Sequence, residues 1–307
     1  MWKQKVNGAM RRVTGYELQR PSTPDGSRRG GGGPRADQLR ERLERTEAKL
    51  VEARTSLKQS REQLREAEKT ARRARKRAER ATALPDSYGE ATSAIIRRVG
   101  DRTMTDHRKL FGLIEATRYL ARNSIPGDVV ECGVWRGGSM QAVALTLIEQ
   151  GDTGRNLHLF DTFEGMPPPT DDDRRGDVTA EELLARHDKD HRVWAIAGLD
   201  DVREAMSEVA YPEDGVHFHV GMVEDTIPDQ APEQIALLRL DTDWYESTRH
   251  ELEHLYRRLS PGGVLILDDY GDWEGARKAA DEFIAGLGTP LLLAPLGSGR
   301  IAVKPGP

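Results

Sequence analysis

The sequence contains a single cysteine, Cys132, among 307 residues. One thiol excludes a disulfide framework within the chain and any zinc module built from several cysteines. It also favours a reducing compartment, where unpaired thiols persist. A disulfide-stapled secreted domain is therefore not expected.

Long hydrophobic runs are also missing. No stretch approaches the roughly 20 apolar residues that cross a bilayer, and the first ten residues lack the apolar core of a signal peptide. We therefore predict a soluble, cytoplasmic protein without a membrane span.

Apolar residues make up only 37% of the chain, which indicates that part of it lies outside a packed core. Residues 1–84 carry 23 Lys and Arg against 11 Asp and Glu, whereas residues 85–307 carry 23 against 40. The net charge of -5 thus combines a basic segment with an acidic one. A basic segment suits an acidic partner, which could be nucleic acid, an anionic surface or the acidic part of this chain.

The basic segment divides into two parts. Residues 1–34 are rich in Gly, Pro, Ser and Arg, a composition typical of a disordered tail. Residues 35–84 are predicted to form a basic coiled-coil helix, because 36–83 lack Gly and Pro and leucine recurs every seventh residue from Leu43 to Leu64. This helix favours a homo-oligomer, with a solvated spacer as the alternative. Nucleic acid is an unlikely partner, since no aromatic residues interleave with the arginines near its end.

Residues 85–307 alternate between short apolar runs and helical stretches, which predicts one α/β domain with a mostly parallel, Rossmann-like sheet. One helix is expected from about Asp106 to Asn123. The last two strands, Pro290–Leu296 and Ile301–Lys304, are separated by four residues and should form a hairpin that adds one antiparallel strand. The other predicted strands are Val129–Gly133, Leu157–Asp161, Val216–Val220, Ile235–Asp241 and Val264–Asp268.

A glycine-rich turn follows the first of these strands. Its pattern, Glu131-x-Gly133-x-x-x-Gly137, lets backbone approach a ligand at the start of a helix near Ser139. The spacing differs from the dinucleotide pattern Gly-x-Gly-x-x-Gly, and the acidic first residue suits a methionine ammonium better than a pyrophosphate. Asp161 ends the next strand, where nucleotide sites place a carboxylate for the ribose hydroxyls. Ordinary turns and helix caps remain the alternative for both features.

Aspartates end two further strands. Asp241 follows one apolar run, and Asp268 with Asp269 follows another, so all three should meet at the carboxyl edge of the sheet. Crowded carboxylates repel each other unless a cation neutralises them, and hard oxygen donors favour Mg²⁺ over zinc. The alternative is that these aspartates only cap helices and form turns.

A metal beside a methyl donor would lower the pKa of a substrate hydroxyl so that its oxygen can attack the sulfonium methyl. Asp243, two residues beyond Asp241, is placed to accept the hydroxyl proton as general base. Its alternative role is to hold a metal-bound water.

Residues from about Thr103 to Lys304 resemble the macrocin O-methyltransferase family, metal-dependent sugar O-methyltransferases of bacterial antibiotic pathways. The matching stretches are GDVVECGVWRGGS, LFDTFEGMP, VEDTIP, LLRLDTDWYEST, LSPGGVLILDDYG and GARKAADEF. The resemblance implies a class I methyltransferase fold, with S-adenosylmethionine and Mg²⁺ as cofactors. It implies Asp241, Asp268 and Asp269 as metal ligands and Asp243 as general base. The S-adenosylmethionine contacts it implies are Thr105, Glu131, Cys132, Gly133, Val134, Trp135 and Asp161, with residues 103–105 folding over the cofactor.

The resemblance further implies methylation of a sugar hydroxyl on a natural product or a glycan, beneath a lid that includes residues 161–173. Two other functions stay open on the sequence. One is a coiled-coil adaptor whose methyltransferase-like domain is inactive, and the other is a nucleotide-dependent dehydrogenase on a similar fold.

Overall fold

The protein is described by a computed structural model that covers residues 38, 41–50, 56–58, 60, 61 and 84–306. The chain divides into two units, Met1–Ala81 and Thr82–Pro307. The predicted tail, residues 1–34, and the region 62–83 of the predicted helix lie outside the described residues. Described residues from 38 to 61 are helical, and Leu43, Leu50 and Leu57 are 60%, 51% and 52% exposed. The coiled coil and the domain boundaries stay predictions.

The second unit is built on a seven-stranded sheet in the order β5-β2-β1-β6-β7-β9-β8. Its strands are β1 (Asp128–Cys132), β2 (Leu157–Asp161), β5 (Val216–Val220), β6 (Ile235–Leu240), β7 (Leu259–Leu267), β8 (Ala294–Leu296) and β9 (Gly299–Val303), while β3 (Arg174–Arg175) and β4 (Val178–Thr179) form a separate hairpin. Strands β1, β2, β5, β6 and β7 pair in parallel, and β9 is antiparallel to both β7 and β8. The predicted mostly parallel sheet with one antiparallel strand is confirmed.

Helices connect the strands. They are α1 (Gly89–Val99), α2 (His107–Arg122), α3 (Gly138–Gln150), α4 (Ala180–Ala185), α5 (Leu199–Ser207), α6 (Val223–Thr226), α7 (Tyr245–Leu255) and α8 (Glu274–Gly286). Helix α2 matches the prediction closely, because Asp106 is its N-cap and accepts hydrogen bonds from the backbone N–H groups of Arg108 and Lys109. Among the described residues no helix is long and apolar enough to cross a membrane.

Both faces of the sheet are covered, which explains why the central strands read as continuous apolar runs. All six residues of β6 are buried. Leu237 packs into the cluster that contains Leu113 and Val143, on the α2 and α3 side. Its neighbour Leu238 points the other way, into the cluster that contains Leu252 and Ala280.

Several elements differ from the sequence prediction. Strand β7 begins at Leu259 rather than Val264, and β9 begins at Gly299 rather than Ile301. The strand expected from Pro290 begins only at Ala294, because its pairing with β9 extends no further than Ile301. Leu291 and Leu293 instead pack against the α7 and α8 side of the core. Residues 162–173 lack helix and strand, in agreement with the predicted loop, whereas the hairpin β3–β4 and helix α4 follow it over residues 174–185, where no element was predicted.

Candidate active site

Carboxylates converge at the carboxyl edge of the sheet, as predicted. Asp241 follows β6, and Asp268 and Asp269 follow β7, its neighbour. One carboxylate oxygen from each of the three lies within 4.8 Å of the others. The parallel pairing of β6 with β7 therefore creates a candidate oxygen-only cation site.

These carboxylates share one cavity of about 480 Å³ with the glycine-rich turn. Strands β1 and β6 are neighbours, so the turn after β1 lies beside Asp241, whose backbone N–H donates to the carbonyl of Cys132 at 2.9 Å. The residues that bear on the chemistry and line this cavity are Met104, Thr105, Lys109, Gly133, Trp135, Asp161, Asp241, Asp243, Trp244, Asp268, Asp269, Asp272 and Trp273.

A buried arginine lies among the carboxylates, and the sequence analysis missed it. Arg239 in β6 is 2% exposed. Its guanidinium binds Glu131, Asp241 at 2.8 Å and Asp268 at 2.6 Å, and it donates to the hydroxyl of Thr105 at 2.8 Å. One feature of the sequence could have revealed it: Arg239 is the single charged residue in the apolar strand IALLRL. A charged side chain in a buried strand needs buried partners of opposite charge.

Lys109 in α2 supplies a second buried cation. Its Nζ donates to the Oδ2 of Asp268 at 2.7 Å, to the carbonyl of Asp268 at 2.9 Å and to Asp272 at 3.0 Å. Both carboxylate oxygens of Asp268 are thus bound to cationic side chains.

The three aspartates therefore differ in charge balance. Burial alone would raise the pKa of Asp268, but Arg239 and Lys109 outweigh it and hold that pKa below its ordinary value. Burial and the neighbouring carboxylates hold the pKa values of Asp241 and Asp269 well above the ordinary range. The ionised forms of Asp241, even with Arg239 at 2.8 Å, and of Asp269 are thus disfavoured unless more positive charge is close by, and a hard divalent cation bound to these oxygen donors would supply it.

Asp243 stands next to this cluster in a backbone conformation that is uncommon for a residue with a side chain. Its φ is 68°, and its N–H donates to the Oδ2 of Asp269 at 3.1 Å. Burial, with Asp241 as the next cause, raises the pKa of Asp243 to about 7. Its carboxyl group can therefore hold or release a proton near neutral pH.

The glycine-rich turn is shaped by positive φ angles and by Asp161. Gly133, Trp135 and Gly137 have φ values of 81°, 47° and 81°. A side chain at Gly133 would place its Cβ 2.1 Å from the carbonyl oxygen of Asp241, so only glycine fits there. The Oδ2 of Asp161 accepts from the N–H groups of Val134 at 2.7 Å and Trp135 at 3.0 Å. The structure thus gives Asp161 a part in holding the turn, beside its predicted place at the ribose.

The predicted cofactor residues divide into two groups. Thr105, Gly133, Trp135 and Asp161 line the cavity. Glu131, Cys132 and Val134 are buried and are not among the described residues that line it. The Oε2 atom of Glu131 has no hydrogen-bond partner among the described residues, and burial raises the pKa of this residue to about 7.

A segment over the cavity, residues 162–198 and here called the lid, is fastened by a buried aspartate. Asp173 is 0% exposed, and its Oδ1 accepts from the N–H of Tyr245 at 2.7 Å, at the start of α7. Its Oδ2 accepts from the N–H of Thr170 at 2.7 Å. The indole of Trp244 donates to the carbonyl of Pro167 at 3.0 Å, which adds a second attachment.

Comparison with known proteins identifies one family. Its model, described as Macrocin-O-methyltransferase (TylF), matches residues 37–292. A tetracenomycin-type rhamnosyl 4'-O-methyltransferase of Streptomyces olivaceus is 39% identical over 168 residues, which are 55% of this chain and 62% of that protein. Mycinamicin III 3''-O-methyltransferase of Micromonospora griseorubida is 38% identical over 168 residues, 55% of this chain and 65% of that protein. The chain therefore spans less than two thirds of the length of these two relatives.

Solved structures agree on the fold. The O-methyltransferase NovP superposes with a TM-score of 0.58 at 29% identity, covering 66% of this chain and 82% of that one. The calicheamicin methyltransferase CalS11 superposes with a TM-score of 0.51 at 18% identity, covering 72% of this chain and 94% of that one. The predicted class I methyltransferase fold is confirmed.

Proposed function

The chain belongs to the macrocin O-methyltransferase family, and on this premise we propose that it transfers a methyl group from S-adenosylmethionine to a sugar hydroxyl with the help of Mg²⁺. The observation that carries the proposal is the shared cavity. In it the glycine-rich turn lies beside Asp241, Asp268 and Asp269.

The cofactor end of the cavity suits a nucleoside bound to an amino acid. Gly133 lets the backbone come close to a ligand, and the turn leads into the amino terminus of α3. Thr105, Trp135 and Asp161 complete the wall. We assign S-adenosylmethionine to this end, where it would supply the methyl group.

The aspartates form the metal end. Asp241 and Asp269, whose pKa values burial and neighbouring carboxylates raise, would each offer an oxygen ligand, and Asp268 joins them through oxygens that also bind Arg239 and Lys109. Asp241, Asp268 and Asp269 would hold a divalent metal, which would supply Lewis-acid activation of the acceptor hydroxyl.

Asp243 acts as general base in this proposal. Its carboxylate accepts the proton of the acceptor hydroxyl, and its pKa of about 7 suits proton transfer near neutral pH. The acceptor oxygen forms a bond to the methyl carbon while the carbon–sulfur bond breaks, which leaves S-adenosylhomocysteine. Each turnover therefore moves one methyl group and one proton.

The acceptor end is walled by aromatic and aliphatic side chains. Trp244 and Trp273 meet edge to face at 4.9 Å, and Met166 and Leu183 of the lid line the cavity near them. Such surfaces suit the apolar face of a deoxysugar and an attached apolar aglycone. The relatives named above methylate glycosides of antibiotics, and we place this chain in natural-product or glycan modification of the same kind.

The helix predicted over residues 36–83 adds an assembly role to the proposal. Leu43, Leu50 and Leu57 repeat every seven residues and are more than half exposed. A second copy of the helix would bury this seam, so we propose a homo-oligomer formed through it. An inactive adaptor has no specific observation in its favour, since the proposed metal ligands and base all line one cavity.

The test is an acceptor screen with S-adenosylmethionine that carries a labelled methyl group. Deoxysugar glycosides and glycans would be incubated with the full chain, and mass spectrometry would detect labelled product. We expect transfer to the oxygen of an acceptor with adjacent hydroxyls. Binding of a dinucleotide in place of S-adenosylmethionine in calorimetry would contradict the proposal and favour a dehydrogenase.

A further inference from the structure

Arg239 touches both ends of the site. At the metal end its guanidinium binds Asp241 at 2.8 Å and Asp268 at 2.6 Å. At the cofactor end it binds Glu131, two residues before Gly133, and the hydroxyl of Thr105 at 2.8 Å. Of the described residues, only this side chain makes polar contacts with all four of these groups.

The geometry of these contacts links the two ends mechanically. A guanidinium is planar and holds its donors in a fixed arrangement, so its partners cannot shift independently. Nη1 is shared between Glu131 and Asp241, and Nη2 is shared between Thr105 and Asp268. Each nitrogen therefore joins one group at the cofactor end to one at the metal end.

We propose that Arg239 is a positioning residue that couples the two halves of the site, so that a divalent metal at the aspartates tightens cofactor binding and the cofactor tightens metal binding. Such coupling is reciprocal by thermodynamic necessity. The inference rests on the proposed function, because it requires both ligands to bind.

Charge gives the coupling its direction. Without a metal, the carboxylates of Asp241 and Asp268 both form ion pairs with the Arg239 guanidinium. A metal that shares the charge of Asp241 leaves more of the Arg239 interaction to Glu131 and Thr105. These groups then hold the turn and the residue 103–105 segment in one position, which lowers the ordering cost of binding the cofactor.

The experiment measures S-adenosylhomocysteine binding to the full chain by calorimetry, once with Mg²⁺ and once with chelator. This probe lacks the sulfonium charge, so direct repulsion between the cofactor and the metal does not enter. We expect the Kd to be at least about fivefold lower with Mg²⁺, at the lower end of typical coupling between two sites. The ratio of the Kd in chelator to the Kd in Mg²⁺ measures the coupling. Titrating Mg²⁺ without and with the probe should give the same ratio of Mg²⁺ Kd values.

Three variants separate coupling from general stability. Arg239→Lys keeps the charge but cannot reach four partners, so its ratio should fall to about one. Thr105→Val removes the hydrogen bond from Arg239 to the hydroxyl of Thr105, which is only partly buried. We expect this variant to fold with the buried ion pairs of Arg239 in place and to show a lower ratio. Lys109→Met is the matched control, because Lys109 binds only Asp268 and Asp272; it should change metal affinity but keep the ratio.

The outcomes are distinct. A wild-type ratio of one, or a wild-type ratio retained in both Arg239→Lys and Thr105→Val, overturns the inference and leaves the proposed function standing. If Arg239→Lys does not fold, Thr105→Val decides. Failure of the wild-type chain to bind either ligand overturns the inference together with the proposed function.

Discussion

Asp243 is the residue on which the proposed chemistry depends. It lies beside the proposed metal ligands, and burial together with the charge of Asp241 raises its pKa to about 7. Asp243→Asn keeps the shape of the side chain but removes the base. We expect kcat to fall by about 10²–10⁴-fold while S-adenosylhomocysteine binding stays close to wild type.

The measurement is a steady-state assay with calorimetry on the same preparations. Asp272→Asn is the matched control, because Asp272 lines the same cavity and is assigned to neither the metal nor proton transfer. It should retain most of the activity. Equal loss in the two variants would contradict the assignment of Asp243.

Glu251 gives a prediction of pH dependence. It is fully buried in α7, Thr242 donates to its Oε1 at 3.0 Å, and its Oε2 has no partner among the described residues. Burial raises its pKa well above 4.5. The folded state therefore binds a proton that the unfolded state releases, so stability is lost as pH rises from about 4.5 through the folded pKa.

Glu251→Gln removes this titration, so the variant lacks the loss of stability that wild type undergoes as pH rises. The melting temperature of the variant minus that of wild type should therefore increase from pH 5 to pH 8. The slope in wild type is up to about 1.4 kcal/mol per pH unit over the affected range. Glu253→Gln is the control, since that side chain is 51% exposed on the same helix and should shift stability by at most about 0.5 kcal/mol. Parallel pH curves for wild type and Glu251→Gln would refute the prediction.

The sequence predicts the position of some site residues and not of others. Asp241, Asp268 and Asp269 were predictable because each follows an apolar strand and parallel strands end at one edge. The partners of Arg239 were not, because they come from β1, β7 and the residue 103–105 segment, which only the folded sheet brings together. Glu131 shows the consequence: the motif marked it as a cofactor residue, and the structure pairs it with Arg239 behind the cavity wall.

The lid is the element whose attachment can be tested alone. The two carboxylate oxygens of Asp173 accept hydrogen bonds from the N–H groups of Tyr245 and Thr170. Asp173→Asn replaces one of these oxygens with an NH₂ group, which cannot accept, and each buried hydrogen bond that is lost costs about 1–3 kcal/mol locally. We expect faster proteolysis within residues 162–198 and a higher KM for the acceptor. Gly275→Ala should act alike, since its Cβ would lie 2.2 Å from the Oδ1 of Asp173.

Limited proteolysis followed by mass spectrometry checks this expectation. Asp172→Asn is the matched control one residue away, because its 2.8 Å contact with Lys278 is a solvent-exposed ion pair that contributes little to stability. Cleavage of Asp173→Asn at the rate of the control would contradict a fastening role.

Elements were predictable where local pattern and burial agree. The central strands and α2 follow from apolar runs and from the Asp106 cap. The two-residue strands β3 and β4 are too short to leave a pattern, and contacts of Asp173 with Tyr245 and Ala180 hold the surrounding segment. The residue at which β8 begins depends on how far β9 pairs with it, and the residues around Pro290 do not reveal the extent of that pairing.

At the scale of the whole molecule, the leucine seam predicts assembly. Replacing Leu43, Leu50 and Leu57 together with Asn removes the apolar contacts that would hold two copies. Light scattering of the full chain should then give a lower mass than wild type. Glu41→Gln, which breaks the exposed pair with Arg45, is the control, and an unchanged mass in the leucine variant would contradict the proposed oligomer.

The central claim is metal-dependent methyl transfer at Asp241, Asp268 and Asp269. Its most direct test is product formation by the full chain, measured by mass spectrometry with chelator, after Mg²⁺ is restored, and in an Asp241→Ala, Asp268→Ala double variant. We expect chelator to abolish methylation, Mg²⁺ to restore it, and the double variant to stay inactive at any Mg²⁺ concentration. Full activity of the double variant, or of the wild-type chain in chelator, would contradict it.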